Sequence, residues 1–203
     1  MRKRIAVVCV VVVAGALLVA APKLKSSWRN PDPAAAPVSK VVVVGFTSEQ
    51  ATRRSMEDAL TAEIRKNGSA AETSYSVVPG DLSKDPAAAK AALIAAGFDG
   101  IVMVRVAGVT SEQSWDPGYI SVVPAYYGSP WSYWGHYYPY AWDPYYFRTY
   151  TTVRIETVAY AVSGEVLIWS GLSESTNPNS VSKLIKQVAA AVAADLKKRN
   201  VVR

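Results

Sequence analysis

Catalysis and metal binding need particular side chains, several of them, within reach of one another. This chain is poor in them. His136 is the sole histidine and Cys9 the sole cysteine among 203 residues. A Ser–His or Cys–His nucleophile pair would have to draw on these two, one in an aromatic-rich stretch and one in an N-terminal apolar run. No His/Cys/Asp spacing suits a metal site, and no carboxylate pair stands out. Val44-Gly45-Phe46 occupies the place of a dinucleotide loop but offers one glycine where that loop needs three. No P-loop signature occurs. The chain is therefore read as a non-enzyme, with no catalytic, cofactor-binding or metal residues and no cofactor. Arg53 and Arg54 stand four residues before Glu57 and Asp58. At that helical spacing the pairs read as exposed ion pairs, each contributing a few tenths of a kcal/mol, rather than as a charged docking face.

What the chain has in excess is aromatic rings. Residues 115–147, WDPGYISVVPAYYGSPWSYWGHYYPYAWDPYYF, hold nine tyrosines, four tryptophans and a phenylalanine, with five prolines and three glycines. Tyr and Trp carry polar tips that need partners, and Pro removes ladder donors, so an ordinary core is not built this way. Fully exposed, the fourteen rings would present roughly 2,000–3,500 Å², against the few hundred Å² usual for one apolar patch. A segment of this kind is read as partly packed on its domain and partly dependent on something outside it. The candidate partner-binding residues are Tyr126, Tyr127, Trp131, Tyr133, Trp134, Tyr137, Tyr138, Tyr140, Trp142, Tyr145 and Tyr146. Tyr and Trp dominate protein interface hot spots, they stack on sugar faces, and they sit at the headgroup depth of membranes. A loose loop with no dedicated ligand remains the plain alternative.

The start of the chain, MRKRIAVVCVVVVAGALLVAA, has a basic head followed by an uncharged apolar run from Ile5 to Ala21. This is the pattern of an export signal over residues 1–21. Pro22 directly behind Ala21 fits a cleavage site poorly, so a retained membrane anchor also fits. Val8 precedes Cys9 and only eight residues lie upstream, so Cys9 is read as packed in the apolar run rather than acylated. The rest of the chain has no cysteine and must hold together without disulfides. The expected location is the periplasm or cell envelope. Net charge is +6, with three charges supplied by Arg2, Lys3 and Arg4. Lys197, Lys198, Arg199 and Arg203 are placed to complement a helix C-terminus, and no nucleic-acid partner is expected.

The elements that position the aromatic segment can be read in order. Residues 22–39 are rich in Pro, Ala and Ser and read as an extended linker to a domain over 40–203. Lys40 opens a β-branched run, VVVVGF, suited to a strand buried on both faces. Thr47-Ser48-Glu49-Gln50 reads as a capping box with Thr47 as N-cap. Met56, Ala59, Leu60 and Ile64 recur at helical spacing, and Asn67-Gly68 supplies the stop. A strand over Thr73–Val78, a helix from about Asp85 to Ala96 and a strand IVMVRVAGV follow. After the aromatic insertion comes a hairpin, Thr151–Val162 and Glu165–Ser170, about the turn Ser163-Gly164. Its expected register sets Ala161 against Val166, Tyr160 against Leu167, Ala159 against Ile168 and Val158 against Trp169. Val181, Leu184, Ile185, Val188, Val192 and Leu196 form the stripe of a last helix beginning near Asn177-Pro178. The expected fold is a three-layer α/β domain with about five strands, mostly parallel, an antiparallel hairpin at one edge and a C-terminal helix.

Several pieces of this order resemble a family of uncharacterised bacterial envelope proteins, often lipoproteins, that share a domain of unknown function. They are Ser27-Trp28 with Pro31, Lys40-Val41-Val42-Val43-Val44-Gly45, Arg53-Arg54 with Glu57-Asp58, Ser74-Tyr75, Gly97-Phe98-Asp99-Gly100 and Trp169-Ser170-Gly171. The layout is more distantly similar to periplasmic domains of curli-secretion, Tol-system and penicillin-binding-protein-activator proteins. The resemblance implies an envelope location and no established activity. The expected role is a non-catalytic binding or assembly module that uses the aromatic insertion toward an envelope protein partner or a second copy of itself. A glycan- or peptidoglycan-binding module is the second reading and an enzyme of unassigned type the third.

Overall fold

A computed structural model describes residues 23–32, 34–78, 85–111, 128–132 and 151–203. The export signal or anchor expected over 1–21 lies outside them, as does most of the aromatic insertion. Six strands form one mixed sheet. They are β1 (Lys23–Arg29), β2 (Lys40–Phe46), β3 (Ala70–Thr73), β4 (Gly100–Ser111), β5 (Thr151–Ala161) and β6 (Val166–Thr176), in the spatial order β1-β6-β5-β4-β2-β3. β2 pairs in parallel with both β3 and β4, and the other three pairings are antiparallel. The helices are α1 (Gln50–Lys66), a single turn α2 (Ser74–Val77), α3 (Pro86–Ala95) and α4 (Val181–Lys198). None of the described helices is long and apolar enough to cross a membrane.

The expected α/β layers are present. Val41, Val43, Val102, Val104, Val153 and Ile155 face α1 and α4 on one side of the sheet. Val42, Val44, Phe46, Ile101, Met103, Val158 and Tyr160 face α3 on the other. Alternate residues of β2 thus enter different cores, which is why its sequence shows an unbroken apolar run.

Four expectations need correction, each for a local reason. The segment read as a linker over 22–39 contains β1. It pairs with β6, so the sheet has six strands and the hairpin is interior rather than at the edge. Leu24 packs on the larger core, and Asn30 closes the strand by donating its backbone N–H to Ile168 O at 2.8 Å and its amide to Leu167 O at 2.8 Å. The Pro/Ala-rich composition belongs only to the residues after it. At α1 the N-cap is Glu49, whose carboxylate accepts from the N–H groups of Ala51 (3.0 Å) and Thr52 (2.7 Å). The Thr52 side chain first, and then the N–H groups of Thr52 and Ala51, hold its carboxyl below its ordinary value by hydrogen bonding to the charged form. Thr47 acts one step earlier, accepting from Glu49 N–H. The strand expected over Thr73–Val78 is instead Ala70–Thr73, followed by the turn α2. The hairpin keeps the expected pairs Ala161–Val166 and Tyr160–Leu167, then slips at a bulge, so that Ala159 meets Trp169 and Val158 meets Ser170.

Two further features tie strands to helices. Asn67 and Gly68 end α1 as expected, with Gly68 at φ +94°. Trp169 is fully buried, and its Nε1–H donates to Asp195 of α4 at 2.9 Å. Asp195 also accepts from Arg199 at 2.8 Å. The indole lies across Gly171, where an added Cβ would stand 2.3 Å from its Cη2. Gly171→Ala is therefore expected to destabilise the protein by about 1–3 kcal/mol in urea unfolding.

Glu174 of β6 binds Lys25 of β1 at 2.8 Å and Arg154 of β5 at 2.9 Å, so one carboxylate joins three strands. Lys25 first, and then Arg154, hold the Glu174 carboxyl below its ordinary value. A lowered folded-state value means the contribution is present at neutral pH and is lost as pH falls through that value. Glu174→Gln should flatten the decline in melting temperature between about pH 5 and pH 3 relative to the parent protein.

Candidate functional site

Two regions gather residues that the sequence singled out. The first is the seat of the aromatic insertion. β4 and β5 pair over their whole length, from Gly100–Ala161 to Ser111–Thr151. Ser111 and Thr151 are therefore neighbours, and the 39 residues between them leave and re-enter the sheet side by side at its centre. The re-entry is clasped by Asn177. Its backbone N–H donates to Thr151 O at 2.8 Å, and its side-chain oxygen accepts from Thr151 N–H at 2.8 Å. Asn177 adopts φ +48°, a left-handed conformation that Asn tolerates better than most residues.

Of the candidate partner-binding residues, the structure places Trp131. Its ring is half-buried against the smaller core, which Val77, Val78 and Leu167 also border. Pro130 beside it is buried. Ser129 and Ser132 close the short turn, the Ser132 N–H donating to Ser129 Oγ at 3.1 Å. Trp131 thus acts as an anchor on the α3 side of the sheet. Tyr126, Tyr127, Tyr133, Trp134, Tyr137, Tyr138, Tyr140, Trp142, Tyr145 and Tyr146 lie outside the described residues, as do Cys9 and His136. Among the described residues no group of three His, Cys, Asp or Glu could hold a metal ion.

On this same face Arg105 and Glu156 sit opposite one another on β4 and β5, their charged groups 2.6 Å apart and each only 11% exposed. Sequence reasoning missed this pair. Arg105 interrupts an apolar strand, and only the register shows that a carboxylate lies directly across from it.

The second region is built on Glu57, and it overturns the reading of Arg53, Arg54, Glu57 and Asp58 as two exposed ion pairs. Glu57 is completely buried. Its carboxylate accepts from Gly45 N–H (3.0 Å), Ser74 N–H (2.9 Å), Ser74 Oγ–H (2.8 Å) and Arg53 Nε–H (3.0 Å). Arg53 is 16% exposed and also reaches Ser74 Oγ at 2.9 Å through Nη2. Gly45 lets α1 come down on β2: a Cβ there would lie 3.2 Å from the Arg53 carbonyl oxygen. The capture of Ser74 by Glu57 is also why β3 stops at Thr73. Ser74 N–H, which would have joined the sheet, donates to the carboxylate instead.

Outside this lock lies an exposed pair of contacts. The Arg54 guanidinium sits over the Tyr75 ring, 5.2 Å from its centroid, and the Tyr75 hydroxyl donates to Asp58. The bond to Asp58 raises the Tyr75 phenol above its ordinary value, with burial adding less. Arg53, Glu57, Ser74 and Gly45, scattered over thirty positions, thus form one network, with Arg54, Asp58 and Tyr75 as its outer layer. The arrangement converges its donors on a carboxylate that is completely buried. Its chemistry is that of a buried latch joining β2, α1 and α2.

Removing one partner from a buried ion pair leaves the other charge without compensation. Arg53→Met should therefore cost about 3 kcal/mol in urea unfolding. Ser74→Ala should cost about 2 kcal/mol through the lost bonds to a charged acceptor. Arg54→Met, one residue away but exposed, should cost less than about 1 kcal/mol.

No family model matches the chain, and no curated protein does. Solved structures similar to it include the PelC dodecamer from Paraburkholderia phytofirmans in two crystal forms. One, a point variant, is 14% identical over 84% of this chain and 98% of that one, with a TM-score of 0.47. The other is 15% identical over 85% and 96%, also with a TM-score of 0.47. Lipoprotein GNA1162 from Neisseria meningitidis is 15% identical over 79% of this chain and 99% of that one, with a TM-score of 0.41. At these values the likeness carries no inference about activity or partners.

Proposed function

We propose that this protein is a non-catalytic module of the bacterial cell envelope, and that its α/β body holds the aromatic insertion toward a protein surface, a second copy of this chain included. The observation that carries the reading is the seat of the insertion. A ring-rich segment springs from paired residues, Ser111 and Thr151, at the centre of a six-stranded sheet. Recognition segments positioned by a rigid scaffold lose less freedom on binding than free ones. Trp131 supports it further, because its ring ties the segment to the smaller core at that position. The basic head and apolar run at the N-terminus support export, with or without retention in the membrane.

The test must spare Trp131, since its loss would uncover part of the core. The variant Trp134→Ser, Tyr137→Ser, Tyr138→Ser, Trp142→Ser does so. The parent protein should sediment as an assembly, or shift in the presence of envelope protein extract, and the variant should sediment as a free monomer in both conditions. Retention of the parent on purified sacculi, lost in the variant, would transfer the role to glycan binding. A parent that stays monomeric and ignores both protein and sacculi refutes the proposal.

A further inference from the structure

The sheet begins almost where the N-terminal apolar run ends. The run closes at Ala21, Pro22 follows, and β1 opens at Lys23. β1 is fixed to β6 from Lys23–Glu174 to Arg29–Trp169, with one register shift between Leu24 and Ser26. The step from Ala21 to Lys23 covers at most about 7 Å of extended chain. That is roughly the depth of one headgroup layer. Where the run stays in the bilayer, the start of β1 therefore stands among lipid headgroups, with too short a spacer to lift the body away.

β1 is also an edge of the sheet, and no strand among the described residues pairs with its outer side. Lysines guard such an edge against other strands, whereas an exposed tryptophan invites contact. Trp28 is 45% exposed and stands opposite Ser170, on the face away from the buried Trp169. β1 carries Lys23, Lys25 and Arg29 and no acidic residue. Lys25 shares Glu174 with Arg154, and half of its side chain stays in solvent. An indole with an apolar body and one N–H suits headgroup depth, and cations beside it are drawn to anionic headgroups. A second copy of β1 is a poorer partner, because antiparallel pairing centred on Ser26 sets Lys23 against Arg29. Were β1 to point straight out from the membrane, Trp28 would stand about 17 Å above Lys23, in water. We infer that β1 lies along the surface of a bilayer containing anionic phospholipid, with Trp28 at headgroup depth, so that the sheet stands on this edge. The inference rests on retention of the N-terminal run in the membrane and is independent of what the aromatic insertion binds.

The test compares the two edges of the sheet. Ser26 on β1 and Ala70 on β3 are both exposed, and five strand spacings, about 24 Å, separate their strands. Full-length protein carrying Cys9→Ala with either Ser26→Cys or Ala70→Cys is labelled with a fluorophore. It is then reconstituted into vesicles of phosphatidylethanolamine and phosphatidylglycerol that include a lipid with a nitroxide on its headgroup. Flotation with the vesicles reads retention, and quenching reads orientation. The protein should float, and the label at position 26 should be quenched about threefold more than the label at position 70. Adding Trp28→Ser should lower quenching at position 26 by about half, and Trp28→Tyr should preserve most of it. Protein that floats but is quenched alike at the two positions overturns the inference and leaves retention standing. So does quenching at position 26 that survives Trp28→Ser in full. Protein that fails to float overturns retention and the inference with it.

Discussion

The antiparallel ladder between β4 and β5 is the constraint on which the rest of the molecule depends. It is the central seam of the sheet, eleven pairs from Gly100–Ala161 to Ser111–Thr151 with one register shift between Val106 and Gly108. Its two faces supply both cores. Val104 and Ile155 floor the side covered by α1 and α4, and Met103 and Val158 floor the side covered by α3. The same ladder fixes the two ends of the aromatic insertion at neighbouring positions. Parallel strands need a covering crossover, whereas this antiparallel pair could have been closed by a short turn. Thirty-nine residues stand there instead, in the place where a hairpin needs two to five.

Around that seam the two halves of the sheet are secured by different physics. The parallel half, β2 with β3 and β4, is locked by a carboxylate withdrawn from water. Glu57 has to be met by protein donors, and only one placement of Gly45, Ser74 and Arg53 provides them. Such a group adds little net stability but penalises alternative packings. The antiparallel half is tied by partly exposed charge, with Glu174 bridging Lys25 and Arg154, and by the Trp169–Asp195 bond between β6 and α4. The absence of cysteine after the N-terminal run leaves these contacts and the two cores to hold the body together.

Much of this was legible in the sequence because period and punctuation are local. The continuous valines of β2, the stripe of α4 and the Asn67-Gly68 stop each gave the right element. What the sequence concealed was pairing. KLKSSWR looks like linker until β6 offers it a partner, and a bulge at β6 cannot be read from alternation alone. The i, i+4 spacing of Arg53 and Glu57 was visible, but not that their face of the helix turns inward onto Gly45. A glutamate on an otherwise apolar stripe between Met56 and Leu60 was the available signal.

The claim that joins these parts is that a rigid body presents an aromatic segment outward to another protein surface. Photo-crosslinking in cells, with a crosslinking amino acid placed at Tyr138 or Trp142 of the full-length chain, tests it most directly. The account predicts adducts of higher mass, resolved by mass spectrometry into peptides of an envelope protein or of a second copy of this chain. Crosslinks confined to the same molecule, to residues 23–111 or 151–203, would contradict it.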